Sequence, residues 1–124
     1  MPTYKSRNPW LVRWENHEAV GLRLFCFPYA GGSAWSFNSW QQDLPAEVEV
    51  CGIELPGRVT RQSETPHACL STLNEAMAEA LLPYLDKPFA FFGHSMGALI
   101  SFEFARHLRI ALHQTGIVVA AVGA

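Results

Sequence analysis

One pentapeptide constrains the fold of this chain more than any other feature. Residues 93–97 read Gly-His-Ser-Met-Gly and directly follow the apolar run 88–92, Pro-Phe-Ala-Phe-Phe. A Gly-x-Ser-x-Gly turn between a buried strand and a helix is typical of a nucleophile elbow, which lifts a serine hydroxyl clear of a sheet. Gly93 and Gly97 suit the turn because a Cβ at either position would collide with the neighbouring strand or helix. The pattern predicts Ser95 as a nucleophile, and an incidental serine at a strand end is the alternative.

A second glycine-containing segment follows an earlier apolar run. Residues 22–27 predict a buried strand that leads into Pro-Tyr-Ala-Gly-Gly-Ser. Acyl transfer by a serine needs backbone N–H donors for the oxyanion, usually one from the residue after the nucleophile and one from such a loop. We therefore expect Met96 and Ala30 to supply the two oxyanion-hole donors. Gly31 and Gly32 let the backbone turn close to the site, although alone they would equally suit an ordinary strand-to-helix turn.

A third segment, Leu-Pro-Gly-Arg at 55–58, follows the strand-like run 48–51. Pro-Gly favours a type II turn, because proline presets φ and glycine takes the left-handed position. The turn would present Arg58 and Arg61 on a loop beside a strand end. They are candidate loop contacts, and solvated arginines of an ordinary turn are the alternative.

Together the three segments resemble type II thioesterases, the free-standing editing enzymes of polyketide and nonribosomal peptide synthesis, and the related medium-chain acyl carrier protein thioesterases. The resemblance runs over residues 10–109 and is carried by 24–32, 55–58 and 86–97 in that order. It implies an incomplete α/β-hydrolase fold, with a mostly parallel sheet and flanking helices. It also implies hydrolysis of acyl or peptidyl thioesters on the phosphopantetheine arm of a carrier protein, with Ser95 as nucleophile and the oxyanion donors named above.

The chain departs from the family pattern after Ser95. In α/β-hydrolases the catalytic acid and base follow the nucleophile, first Asp or Glu and then His. Here Glu103 is the only carboxylate side chain after Ser95, and His107 and His113 lie at the end of the elbow helix and in the connection beyond it. We therefore expect residues 1–124 to form the N-terminal part of one thioesterase domain, without its lid, acid, base and C-terminal strands. Loss of a triad member costs several orders of magnitude in rate, so this chain should be weakly active or inactive.

Two other classes of function stay open for this sequence. One is a non-catalytic remnant or interaction module that keeps the half-sheet and does no chemistry. The other is a different serine hydrolase, either a general carboxylesterase or the thioesterase domain of a larger synthase. Little sequence separates Met1 from the first strong strand signal, so we expect a free-standing protein rather than a domain.

Apolar runs alternate with helical stretches along the chain, an order typical of a parallel sheet built from right-handed crossovers. The predicted strands are 22–28, 48–54, 88–93 and 116–122, and the predicted helices are 34–42, 70–85 and 96–109. In the fold that the resemblance implies, the first two strands exchange order, and the strand after the elbow would here lie at an edge. That edge carries Val118, Val119 and Val122 with no charged residue among them, so we expect self-association through it.

Composition narrows the class of partner and the cellular compartment. The 124 residues are 49% hydrophobic with a net charge of −2, which suits a globular chain and disfavours nucleic acid and anionic membrane as partners. The three cysteines give no even disulfide framework, and Cys26 and Cys51 fall in apolar runs as buried reduced thiols. No signal peptide or membrane span is visible, so we expect a cytoplasmic protein. Histidines and cysteines lack metal-ligand spacing, and no cofactor is implied.

Overall fold

The computed structural model describes residues 8–14, 19–29, 31–56, 69–112 and 117–121, with 111–112 and 117–121 described by their backbone. The strands are β1 Leu11–Arg13, β2 Leu22–Phe27, β3 Val48–Ile53, β4 Phe89–His94 and β5 Ile117–Ala121. The α-helices are α1 Trp40–Asp43, α2 Leu70–Leu81 and α3 Met96–Leu112, and 3₁₀ turns cover Ala34–Phe37 and Leu82–Tyr84. The four predicted strands are thereby confirmed, with bounds that shift by one or two residues.

The strands form one sheet in the order β1-β3-β2-β4-β5. β2 lies parallel between β3 and β4, and β5 continues the parallel part beyond β4. The expected exchange of the first two predicted strands, β2 and β3, is confirmed. β2 precedes β3 in sequence but lies between β3 and β4 in the sheet. Phe27 at the end of β2 is in register with Gly93 near the end of β4. Because parallel strands end at the same edge, the loop after β2 and the turn after β4 lie side by side.

Two predicted features need correction. The lead-in before β2 contains a further short strand, β1, which pairs antiparallel with β3 in the register Val12↔Gly52. The expected helix 34–42 is instead a 3₁₀ turn followed by the single-turn helix α1. Ser36, Asn38 and Ser39 within this stretch favour turns over a continuous helix, because such side chains bond to nearby backbone groups.

α2 and α3 pack on one face of the sheet, where the larger apolar core lies. Phe104 of α3 stacks on Phe91 of β4 with ring centroids 5.6 Å apart, and Phe27 of β2 packs against both rings. Met77 and Leu81 bring α2 into the same cluster. A second, smaller core that includes Trp14, Ala34, Phe37 and Val50 fills the opposite face. The sheet is therefore covered on both sides, as the α/β architecture requires.

An ionic network ties the amino ends of β2 and β3 to the carboxyl end of the antiparallel β1, at the edge of the sheet away from the elbow. Glu49 is fully buried and pairs with Arg13 at 2.7 Å and with Arg23 at 2.9 Å. Arg23 also donates to the carbonyl of Tyr84 at 3.0 Å and pairs with Asp86, whose pKa its hydrogen bond lowers. The network links three strands to the segment between α2 and β4. Within the described residues, no helix is long and apolar enough to cross a membrane.

Candidate active site

Ser95 occupies the turn between β4 and α3 with a backbone φ of +57°, unlike every other described non-glycine residue. This left-handed conformation costs a residue with a Cβ about 1–3 kcal/mol, and such strain is concentrated at functional sites. The Ser95 carbonyl accepts a hydrogen bond from Ala98 N at 3.0 Å, which closes the first turn into the helix. The side chain is exposed. Ser95 is thus held in the sharp turn that the pentapeptide predicts.

The two glycines of the elbow are required by close backbone approach. A Cβ on Gly93 would lie 2.5 Å from Ala98 N and still nearer the carbonyl of Gly97. A Cβ on Gly97 would lie 2.6 Å from the carbonyl oxygen of Pro28 and nearer that of Phe27. The steric reason given for both glycines from the sequence is confirmed. Without these side chains, α3 begins directly against the backbone that leaves β2.

The loop after β2 makes a tight turn beside the elbow. Gly32 N donates to the carbonyl of Tyr29 at 2.9 Å, and Gly31 between them has a φ of +80°, which favours glycine. The Tyr29 ring packs edge-on against the ring of His94, with centroids 6.0 Å apart. Ala30, the predicted oxyanion donor of this loop, lies outside the described residues. The contact between Tyr29 and His94 joins the loop to the residue that precedes the nucleophile.

Met96 is the first residue of α3. A helix leaves its first four N–H groups without an intrahelical acceptor, so the Met96 N–H is available to a group next to Ser95. The positive end of the helix dipole also favours developing negative charge at this position. This geometry is compatible with the predicted role of Met96 as an oxyanion donor, and that role stays a prediction.

Sequence reasoning missed two residues of β3 and its carboxyl end that support the loop. Glu54 is fully buried and accepts a hydrogen bond from Ala34 N at 3.2 Å. Gly52 lets Ala34 approach closely, since a Cβ on Gly52 would lie 2.9 Å from both the Cβ and the carbonyl oxygen of Ala34. A glutamate that ends a strand-like run, shortly before Pro-Gly, is the signal that could have drawn attention to this position.

Glu103 and His107, the described carboxylate and histidine that follow Ser95, are not brought to it by the structure. Glu103 pairs with Arg106 at 3.0 Å on the surface of α3. His107 lines a cleft between α2 and α3, and helical rise puts it about 18 Å along the axis from Ser95. His113 lies outside the described residues, as do the candidate loop contacts Arg58 and Arg61. No group of three metal-ligating side chains occurs in the part of the chain that the structure describes.

A serine in the left-handed conformation between a parallel strand and a helix, beside a tight glycine turn, is the arrangement of a nucleophile elbow in an α/β-hydrolase fold. Comparison with known families agrees with this class. Residues 22–123 match the thioesterase domain family. The chain therefore belongs to the thioesterase family.

Individual relatives confirm the resemblance to type II thioesterases. The chain is 52% identical over 102 residues to the gramicidin S biosynthesis protein GrsT of Aneurinibacillus migulanus, covering 82% of this chain and 40% of that protein. It is 41% identical over 106 residues to the human medium-chain S-acyl fatty acid synthase thioesterase, covering 85% of this chain and 40% of that protein. The structure of BorB, a type II thioesterase of the borrelidin cluster, matches with a TM-score of 0.83 at 28% identity, covering 97% of this chain and 52% of BorB.

Coverage of these relatives is partial. The chain spans 40% of the length of each of the two curated relatives. The matched part contains the elbow and the loop after β2. The α/β-hydrolase fold expected from the sequence is confirmed by the BorB match and by the sheet order.

Proposed function

We propose that this chain carries the nucleophilic half of a thioesterase site, with Ser95 as the nucleophile. The observation that carries the proposal is the backbone of Ser95, at φ +57° on a strand-to-helix turn packed against the loop after β2. In the proposed reaction Ser95 Oγ attacks the thioester carbonyl while its proton passes to a base. The tetrahedral intermediate collapses to an acyl-enzyme and releases the thiol. Water then attacks the acyl-enzyme, which frees the carboxylic acid and restores the serine.

The proposed oxyanion donors are the backbone N–H groups of Met96 and Ala30. Support for Met96 comes from its place at the start of α3, and support for Ala30 comes from the sequence pattern alone. Arg58 and Arg61 are proposed as contacts for substrate or partner on the loop after β3. The base and acid have no candidate at Ser95 in the described residues, so we expect the chain by itself to turn over slowly or not at all.

The proposed substrate is an acyl or peptidyl group held as a thioester on the phosphopantetheine arm of a carrier protein. Support comes from the names of the relatives, which place GrsT in gramicidin S biosynthesis, BorB in a borrelidin cluster and the human protein with fatty acid synthase. We propose that residues 1–124 correspond to the N-terminal part of one hydrolase domain. A cytoplasmic site of action is proposed, and the reduced thiols of Cys26 and Cys51, both buried, support a reducing compartment.

A second candidate function is a non-catalytic module that associates through its sheet edge. Within the described residues β5 is the outermost strand, with β4 as its neighbour. An unpaired strand edge is a template for pairing with another chain. Leu99, Phe102 and Ile110 of α3 are each more than half exposed, which adds apolar surface. This candidate predicts concentration-dependent self-association in sedimentation, with no dependence on Ser95.

Thioester hydrolysis with chemical rescue tests the proposed function. The purified chain and its Ser95→Ala variant would be incubated with an octanoyl thioester of N-acetylcysteamine, with and without added imidazole. Imidazole can replace a missing histidine as base, whereas its direct attack on the thioester proceeds equally in both samples. We expect the wild-type chain to hydrolyse the thioester faster than the variant, and added imidazole to increase this difference in rate. Equal rates in the two folded proteins, with and without imidazole, would leave the non-catalytic module as the better account.

A further inference from the structure

We propose that Glu54 is a positioning residue for the oxyanion loop, acting through its hydrogen bond to the backbone of Ala34. The proposal rests on the proposed function only in naming the loop after β2 as the oxyanion loop. The mechanism described above does not use this fully buried carboxylate. It lies just beyond the end of β3, at the edge of the sheet where the elbow and the loop meet.

The Ala34 N–H has a specific need for an acceptor. Ala34 is the first residue of the 3₁₀ turn Ala34–Phe37, so its N–H has no acceptor within that turn. The next N–H, of Trp35, is accepted by the hydroxyl of Ser33 at 3.2 Å. Glu54 Oε1 accepts from Ala34 N at 3.2 Å. Ser33 therefore accepts from the N–H of Trp35, and Glu54, which is distant in sequence, accepts from the N–H of Ala34.

Gly52 gives independent evidence that β3 fixes the position of the backbone around Ala34. Gly52 and Glu54 are two residues apart, so they face the same side of the sheet. A Cβ on Gly52 would approach the backbone of Ala34 to 2.9 Å. Gly52 thus sets how closely Ala34 approaches the strand, while the hydrogen bond from Ala34 to Glu54 holds it there. Close approach and a side-chain hydrogen bond act on the same residue.

The anchored residue is close along the chain to the turn beside Ser95. The turn closed by Gly32 N and Tyr29 O is joined to Ala34 through Ser33 alone. At its other end the turn contacts the elbow, where the Tyr29 ring packs on His94. The loop is therefore held at both ends, by β3 on one side and by the elbow on the other. A fixed loop is what oxyanion stabilisation requires, because donors must be in place before charge develops.

Amide hydrogen exchange measured by NMR tests the proposal directly. Glu54→Met keeps the length of the side chain and removes the acceptor, whereas Glu54→Gln keeps an amide oxygen that can accept from Ala34 N. Ile53→Val is the matched control, because Ile53 is fully buried on the opposite face of β3 and its truncation lowers stability without touching the hydrogen bond. Exchange rates of Ala34 and Gly32 would be compared after correction for global unfolding.

We expect Glu54→Met to speed exchange of Ala34 and Gly32 by about tenfold, since leaving a buried N–H without its acceptor is worth about that factor. Glu54→Gln should restore much of the protection, and Ile53→Val should leave it unchanged. Wild-type exchange rates in Glu54→Met, or equal acceleration in Ile53→Val, would overturn the proposal. If Glu54→Met does not fold, the exchange rate of the Ala34 amide in the wild-type chain tests the proposal. Rapid exchange of that amide would overturn the proposal.

The phosphonylation rate of Ser95 separates this proposal from the proposed function. With imidazole added as base, an uncharged fluorophosphonate forms a tetrahedral adduct whose oxygen occupies the oxyanion hole, so its reaction rate reports on the loop. We expect Glu54→Met to lower that rate by about tenfold or more, with recovery in Glu54→Gln and no change in Ile53→Val. An unreactive Ser95 in the wild-type chain would contradict the proposed function, and the exchange rates of Ala34 and Gly32 would still decide whether Glu54 holds the loop.

Discussion

Gly97 lies so close to Pro28 that an added Cβ would sit 2.6 Å from the Pro28 carbonyl oxygen. This approach brings the start of α3 against the backbone leaving β2, and it places the elbow beside the glycine turn. Because the obstructing atoms are backbone, they cannot rotate away as a flexible side chain would. The relative position of the two segments therefore depends on the absence of one side chain.

Gly97→Ala should lower the free energy of unfolding by about 3 kcal/mol, at the upper end of the usual cost of overpacking a well-packed site. Urea denaturation of the two proteins measures the difference. Gly21→Ala is the control, since its nearest neighbour would be the Glu47 carbonyl at an ordinary 3.8 Å. Equal stability of Gly97→Ala and the wild type would contradict the close approach.

Ser95→Gly should be more stable than Ser95→Ala by about 1 kcal/mol, because only the alanine retains a Cβ in the left-handed conformation. Both variants remove the hydroxyl, so their comparison isolates backbone strain from hydrogen bonding. Thermal and urea unfolding of the pair measure the difference. A more stable alanine variant would mean that the turn carries no strain at this residue.

The rate at which Cys69 reacts with iodoacetamide should reach half of its maximum near pH 7. Its Sγ lies 3.3 Å from Ser71 Oγ and 3.6 Å from Thr72 Oγ1, and hydrogen bonds from these residues lower the pKa of the exposed thiol to about 7. The thiolate is the reactive form, so alkylation should rise as pH increases through that value. Ser71→Ala should shift the midpoint upward. A wild-type midpoint above pH 8, unmoved by Ser71→Ala, would refute the assignment.

The buried thiols provide an internal comparison in the same sample. Burial raises the pKa of Cys26, and Cys51 is buried beside it in the sheet. We expect alkylation of these two cysteines only after unfolding. Peptide mass spectrometry distinguishes the three sites.

Glu49→Gln should destabilise the chain by about 3–5 kcal/mol, because it leaves the guanidinium groups of Arg13 and Arg23 without their shared counter-charge. The control is Glu103→Gln, which breaks a largely exposed pair with Arg106 and should cost less than about 1 kcal/mol. Urea denaturation compares the two. A similar, small effect of both substitutions would mean that the buried network adds little to stability.

Much of the fold could be predicted because its signals are local. The apolar runs that form β2 and β4, the glycines around Ser95 and the periodicity of α2 each lie within a short window of sequence. β1 could not be predicted in this way, because it has three residues and exists through antiparallel pairing with β3. Its sequence neighbours carry no period-two pattern long enough to indicate a strand.

The supporting residues of the site were harder to predict than the nucleophile. Glu54 matters through Ala34, and the two are brought together by the position of the loop on the sheet. A carboxylate at the end of a strand is ordinarily read as exposed, because Glu is rarely fully buried without a partner. The ionic partners of Glu49 are likewise distant in sequence, so their pairing emerges only once the strands are in register.

The most direct test of the central claim is labelling of the folded chain with a fluorophosphonate probe, with imidazole supplied as the base that the described residues lack at Ser95, read by intact mass and peptide mapping. We expect one adduct, on Ser95, and no adduct on Ser95→Ala. Labelling confined to Ser95 would show that the elbow makes this serine a nucleophile. No labelling of a cooperatively folded chain, or equal labelling of other serines, would contradict the assignment of Ser95 as the nucleophile.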